Sequence, residues 1–236
     1  MDFLKTLKSV EELIYEFAVS LVLIPRTLLK ILRSPTWAVE YVSSENKEKP
    51  KARFEKYSNP VFFWLVMVVL SCYFLLEFVI CGYAEGKVLV VYNNISIFSK
   101  IGGLALLFTC LPVGCAFILQ IFKYKGFTKT TFRRSFFIQC YCTAPLQLLF
   151  IPAILVDELP DLLALIVMLA TFVVVAWFLI AEVLITRKEL QCGWLKGLFA
   201  LVLMYFSYFF FAFVTTTLFF LSNMSNLRAL VDACLE

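Results

Sequence analysis

The chain has 236 residues, of which 62% are hydrophobic and 16% charged, with a net charge of +4 and a mean hydropathy of +0.89. A soluble domain is about 45–50% apolar and about 25% charged, so this excess of apolar surface calls for lipid as solvent. The absence of histidine removes the commonest metal ligand and the commonest general base near neutral pH.

A membrane-crossing helix needs about 20 mainly apolar residues. Met1 to Lys8 is mildly basic, but Glu11, Glu12 and Glu16 follow and no small-residue cleavage site does, so no signal peptide is expected. Between residues 10 and 42, Glu16, Pro25, Arg26 and Lys30 interrupt an apolar stretch, while Leu28, Leu29, Ile31 and Leu32 oppose Arg26, Lys30 and Arg33. That pattern predicts an amphipathic helix lying in the membrane interface, or a re-entrant segment, rather than a span. Residues 43–58 form a cytoplasmic linker with charges of both signs.

Five stretches then qualify as spans: residues 60–83, 101–122, 135–156, 161–185 and 194–221. The predicted fold class is therefore all-α, a polytopic transmembrane bundle of about five spans. Residues 84–100 form a loop with an Asn94-Ile95-Ser96 glycan pattern, and 223–236 a short amphipathic tail with Leu227, Leu230, Val231 and Cys234 in one stripe. With the N-terminus inside, residues 1–59, 123–134 and 186–196 carry 10, 5 and 3 of the Lys and Arg residues, 18 of 21 in all. This bias predicts a cytoplasmic N-terminus and an external C-terminus.

Acids within spans are functional hypotheses by default. Glu77 lies about six residues from the outer end of its span and Glu182 about four from the inner end of its own, so both are read first as anchoring or helix-pairing groups. The third span carries Ser135, Gln139, Thr143 and Gln147 at every fourth position, hence on one helical face. Such groups need partners inside the protein. The antiparallel third and fourth spans put Gln139 and Glu182 at similar depth and predict a hydrogen bond between them. Together with Glu77 these residues are the candidate polar seam; its functional version would hold a lipid headgroup or a small solute. Pro145 breaks the same span and frees a backbone carbonyl.

Gly102, Gly103, Gly114, Gly193 and Gly197 are small positions where helices can approach closely. Cysteines 72, 110, 115, 140 and 142 fall in apolar runs and read as small hydrophobes, whereas Cys192 sits beside a helix end where acylation is the alternative. No nucleophile elbow, phosphate loop or zinc-protease motif occurs. No catalytic residue, metal site or cofactor is therefore assigned, and no nucleic-acid partner. The expected partners are the lipid bilayer and either a protein partner or further copies of the chain.

The order of features resembles the Yip1 domain family. A Pro-containing amphipathic segment, Ile24 to Val42, and a charged linker precede the first span. Ile101-Gly102-Gly103 then opens the second span, and the basic loop with Gly126-Phe127 and Phe132 leads through Ser135, Tyr141 and Pro145 into the third. The resemblance runs over roughly residues 24–222 and implies five spans, a cytoplasmic N-terminus and a non-enzymatic role as a scaffold or trafficking component. The eukaryotic members carry Asp-Leu-Tyr-Gly-Pro before the first span; Tyr57-Ser58-Asn59-Pro60 stands there instead. This departure puts a small-GTPase partner in doubt and points to the bacterial members and an inner-membrane location rather than endoplasmic reticulum or Golgi. The competing expectation is an accessory component of a transport or export system for a lipid or small hydrophobic solute.

Overall fold

The computed structural model describes residues 3–46, 54–82, 97–123, 127–147 and 160–222. Among the described residues the chain is entirely helical, with α1 Phe3–Arg33, α2 Trp37–Glu45, α3 Pro60–Gly82, α4 Ile97–Lys123, α5 Lys129–Gln147, α6 Asp161–Leu190 and α7 Trp194–Ser222. Among the described residues three stretches are long and apolar enough to cross a membrane: Ala105–Lys123 in α4, Leu162–Leu190 in α6 and Trp194–Leu218 in α7. Pro60–Tyr73 in α3 is a shorter apolar stretch. The linker residues 47–53, the loop 83–96 with its glycan pattern, the expected span end 148–156 and the tail 223–236 lie outside the described residues.

The helix boundaries have local causes. The amphipathic segment expected over residues 10–42 is two helices, because Pro35 has no N–H to donate and closes α1 in a short turn. Ser34 N–H still bonds Lys30 O at 3.0 Å, and Trp37 N–H bonds Ser34 O at 3.0 Å, so the chain restarts at once as α2. At α3, Asn59 Oδ1 accepts the Val61 N–H at 3.0 Å and Pro60 takes the first helical position, where a missing donor costs nothing. At α5, Thr128 Oγ1 accepts the Thr131 N–H and Thr131 Oγ1 accepts the Thr128 N–H, both at 3.3 Å. This reciprocal cap starts the helix at Lys129, six residues before the expected span. Helix α6 runs five residues beyond the expected limit, to Leu190. It ends where Gln191 turns left-handed at φ 50°, with its N–H on Arg187 O, and Arg187 and Lys188 in the last turn complement the helix dipole.

Helix α5 is the axis of the bundle. It packs against α4 and α3, and also meets α1, α2 and α6, while α4 lies along α7 and α6 meets α7. Every residue from Phe137 to Pro145 is buried, so α5 has no solvent or lipid face along that length. Helix α6 is its opposite: only 6% of its most apolar stretch is buried inside the molecule. Leu162, Leu165, Ile166, Leu169 and Phe172 all face outward. The C-terminal half of α6 turns Phe178, Ala181, Glu182 and Ile185 into the core.

Helix α2 and the segment before α3 are clamped onto this bundle by aromatic rings. Trp37 stacks on Tyr41 with centroids 4.7 Å apart and meets Tyr57 at 4.5 Å and Tyr141 at 5.6 Å. Phe54 meets Phe137 at 5.7 Å and Phe63 meets Tyr141 at 6.1 Å. Phe54 itself takes a left-handed backbone, φ 61°, and its N–H bonds Glu45 Oε2 at 2.5 Å, which closes the chain back on the end of α2. Tyr141 Oη donates to Ser58 O at 2.5 Å, and Ser58 N–H donates to Thr27 Oγ1 at 3.0 Å. One buried tyrosine thus ties α5 to the segment entering α3, and a buried threonine ties that segment to α1. Trp177 Nε1 completes the clamp by donating to Leu32 O at 3.2 Å.

Candidate functional site

The four polar residues of α5 do form one line, and that line is closed by protein. Ser135, Gln139, Thr143 and Gln147 are each at most 1% exposed. Gln139 Nε2 donates to Glu182 Oε2 at 3.3 Å, linking α5 to α6 at the depth the hairpin geometry requires. Thr143 Oγ1 returns to Gln139 O at 2.8 Å within the helix, and Ser71 Oγ of α3 donates to Gln147 O at 2.6 Å. The carbonyl of Gln147, the last residue of α5, is thereby satisfied from a neighbouring helix. Ser135 Oγ, Gln139 Oε1, Gln147 Oε1 and Glu182 Oε1 have no partner among the described residues.

Glu182 occupies a different place from the one expected. Because α6 continues to Leu190, Glu182 sits about two turns from the helix end, is 1% exposed and does not reach toward the surface. A carboxylate so placed depends on protein donors, since water is excluded. Glu77 falls on α3 with its side chain outside the described ones.

The small residues divide. A Cβ on Gly114 would lie 3.1 Å from Tyr208 N and 3.3 Å from Ser207 C, so α4 and α7 come together backbone to backbone here. A Cβ on Gly197 would meet Arg187 Cγ at 2.8 Å. At Gly102 and Gly193 a Cβ meets nothing within 4 Å, and Gly103 is half-buried. Close approach therefore belongs to Gly114 and Gly197.

A second polar site lies at the Lys123 end of the bundle, where α4 ends, α5 begins, α6 ends and α2 crosses over. Glu189, 3% exposed, sits at its centre. One carboxylate oxygen accepts Lys123 Nζ at 2.5 Å and the other accepts Arg134 Nη2 at 3.0 Å. Arg134 Nη2 also donates to Ser43 Oγ of α2 at 2.9 Å. Lys188, the neighbour of Glu189, pairs with Glu40 of α2. That partner holds the Glu40 carboxyl below the ordinary range, chiefly through the hydrogen bond from the ammonium and its charge. These residues line a pocket of about 490 Å³. A second pocket of about 1010 Å³ lies beside it, lined by Phe122, Trp194, Leu195, Lys196 and Phe199, and Gln191 borders both. Arg187 stacks over the Trp194 ring at 4.0 Å.

The sequence placed Lys123, Arg133 and Arg134 in a basic loop but did not pair them. The available signal was the Thr186-Arg187-Lys188-Glu189 run, which ends an apolar helix with an acid amid cations; only the rotation of α6 about its axis shows that Glu189 points inward. Among the described residues no group of His, Cys, Asp and Glu side chains is placed to hold a metal. No family model, curated protein or solved structure matches the chain.

Proposed function

We propose that this chain is a five-span, non-enzymatic membrane scaffold of the kind the Yip1 resemblance implies, with a cytoplasmic N-terminus. The observation that carries the reading is the closure of the α5 polar line. All four polar side chains on that face are buried; Gln139 bonds Glu182, Thr143 bonds the Gln139 carbonyl and Ser71 bonds the Gln147 carbonyl, so the face lines no open path. A solute route would need that face to reach the outside of the bundle; packed shut, it serves to hold α3, α5 and α6 in register. On this reading α3 and α5 complete the count of five, each carried across by the packing of its neighbours as much as by its own hydropathy. Helices α1 and α2 form an inner-leaflet layer clamped on the bundle end.

The scaffold reading also gives the outer half of α6 a role. Its apolar face is wide, with Leu162 73% and Phe172 72% exposed, and offers a lateral surface to another membrane helix. Photo-crosslinking residues at positions 165 and 172, in native membranes, are expected to yield discrete protein adducts. Adducts with lipid alone at both positions would refute a scaffold working through α6. Solute uptake by proteoliposomes holding the purified chain would replace this reading with the transport one. Tag accessibility from the two sides of the membrane tests the topology: termini on the same side would refute five spans.

A further inference from the structure

We infer that Glu182 is a reversible proton-binding site inside the bundle, its carboxyl neutral at neutral pH and paired with the side-chain amide of Gln139. The inference rests on the membrane reading above but not on the scaffold role.

Three observations carry it. The first is that no positive charge balances the carboxyl. Glu182 is 1% exposed, and among the described residues it forms no ion pair. The cations that follow it on α6 are directed elsewhere: Arg187 lies over the Trp194 ring and Lys188 pairs with Glu40. Lys123 of α4 and Arg134 of α5 are on Glu189 instead. From the helices packed against α6, the titratable groups in electrostatic range of Glu182 are Cys115 of α4, Cys142 of α5 and Tyr205 of α7. Helix α2 turns Glu40 to Lys188 and Glu45 to the Phe54 N–H, and α1 meets α6 through the Leu32 carbonyl. Thiols and phenols are neutral or negative and never positive. None of these groups can offset a negative charge on Glu182, and an uncompensated buried charge is resolved by neutralisation.

The second is the hydrogen bonding of the pair. Glu182 Oε2 accepts Gln139 Nε2 at 3.3 Å, the long end of the range for such a bond. Glu182 Oε1 accepts nothing, and neither does Gln139 Oε1. One acid and one amide therefore hold two orphaned acceptors and lack a donor. A proton on the carboxyl supplies it: the acid O–H can donate to the amide oxygen while the amide N–H stays on the acid carbonyl. An ionised carboxylate only accepts, so it would leave both oxygens buried and unsatisfied.

The third is the size of the site. The other orphaned oxygens of the line, Ser135 Oγ and Gln147 Oε1, belong to residues one and two turns from Gln139, about 6 Å and about 12 Å along the helix axis. They are too far apart to close a shell of about six oxygens at about 2.5 Å, as a hard metal cation requires. A proton needs only the two oxygens present. Its loss would put a negative charge between α5 and α6, so occupancy of the site is linked to the contact of these helices.

The test is infrared spectroscopy of the full chain in detergent, at neutral pH, in light and in heavy water. The wild type is expected to show the carbonyl stretch of a protonated carboxylic acid, moved in heavy water and absent from Glu182→Gln. Gln139→Leu moves that band to the higher frequency of an acid without a partner, while Ser135→Ala leaves it in place. Raising the pH removes the band and returning to neutral restores it. If Glu182→Gln does not fold, Gln139→Leu decides the matter, because Glu182 is the carboxyl bonded to that amide. A wild-type spectrum without an acid band overturns the proposal, and so does a band that persists in Glu182→Gln. A band unmoved by Gln139→Leu overturns the pairing. One that survives to the pH at which the protein unfolds overturns the reversible site.

Discussion

Glu189 is the residue on which the end of the bundle depends. Its carboxylate is nearly fully buried, with 1% side-chain exposure, while its two cationic partners are 23% and 24% exposed. Replacing Glu189 with alanine removes both pairings at once and leaves Lys123 and Arg134 facing each other. Breaking a fully buried pair costs about 3–5 kcal/mol. The partners here can turn partly to water, which lowers the figure to about 2 kcal/mol. For a chain of this size that corresponds to a fall of about 4–8 °C in the unfolding midpoint. The assay is thermal unfolding in detergent, followed by the reaction of a thiol dye with Cys115, Cys140 and Cys142, all buried until the bundle opens. A double-mutant cycle of Glu189→Gln with Arg134→Gln is expected to show coupling of about 1 kcal/mol. A midpoint within about 1 °C of the wild type in Glu189→Ala, or no coupling in the cycle, would refute the assignment of Glu189 as the organiser of this end.

Three further outcomes are expected. Gly114→Ala forces apart the α4 and α7 backbones, and a loss of about 1–2 kcal/mol is expected by the same melting assay; Gly102→Ala, with open space around it, is neutral or stabilising by about 0.5–1 kcal/mol through helix propensity. Tyr141→Phe leaves the Ser58 carbonyl without its donor and costs about 1–3 kcal/mol, and limited proteolysis should show the segment before α3 cut faster. The Glu40 carboxyl is held below its ordinary value by Lys188, so its contribution is present above the unfolded carboxylate pKa of about 4 and is lost as pH falls through the lower folded value. Lowering the pH into that window, scored by the midpoint difference between wild type and Lys188→Gln, should shrink the difference toward zero; a difference unchanged down to the lowest pH would contradict the pairing.

Much of the helical layout was legible in the chain alone. Transfer of a helix into lipid depends on summed side-chain hydrophobicity, a local and roughly additive quantity, so the starts at Pro60, Asp161 and Trp194 agree with expectation. Proline and threonine chemistry then moves two limits: Pro35 splits the amphipathic segment, and Thr128 with Thr131 starts α5 early. Those signals were present in the sequence, but they act on hydrogen bonds rather than on hydropathy. The Gln139 to Glu182 bond was also accessible, because depth in an antiparallel hairpin follows from counting residues.

Tertiary structure decided which of the other polar groups meet. Glu182 and Glu189 are seven residues apart, close to two turns, so both point into the bundle from the same side of α6; a sequence reading that ended this helix at residue 185 left Glu189 in a loop. Whether Tyr141 reaches Ser58, whether Gly114 rather than Gly102 marks a helix crossing, and whether Lys123 and Arg134 share one carboxylate all depend on how each helix is rotated and packed. Hydrophobicity determines that a helix enters the membrane and about how far it runs. Rotation is set by the fit of side chains across helices distant in the chain, and composition carries no record of it.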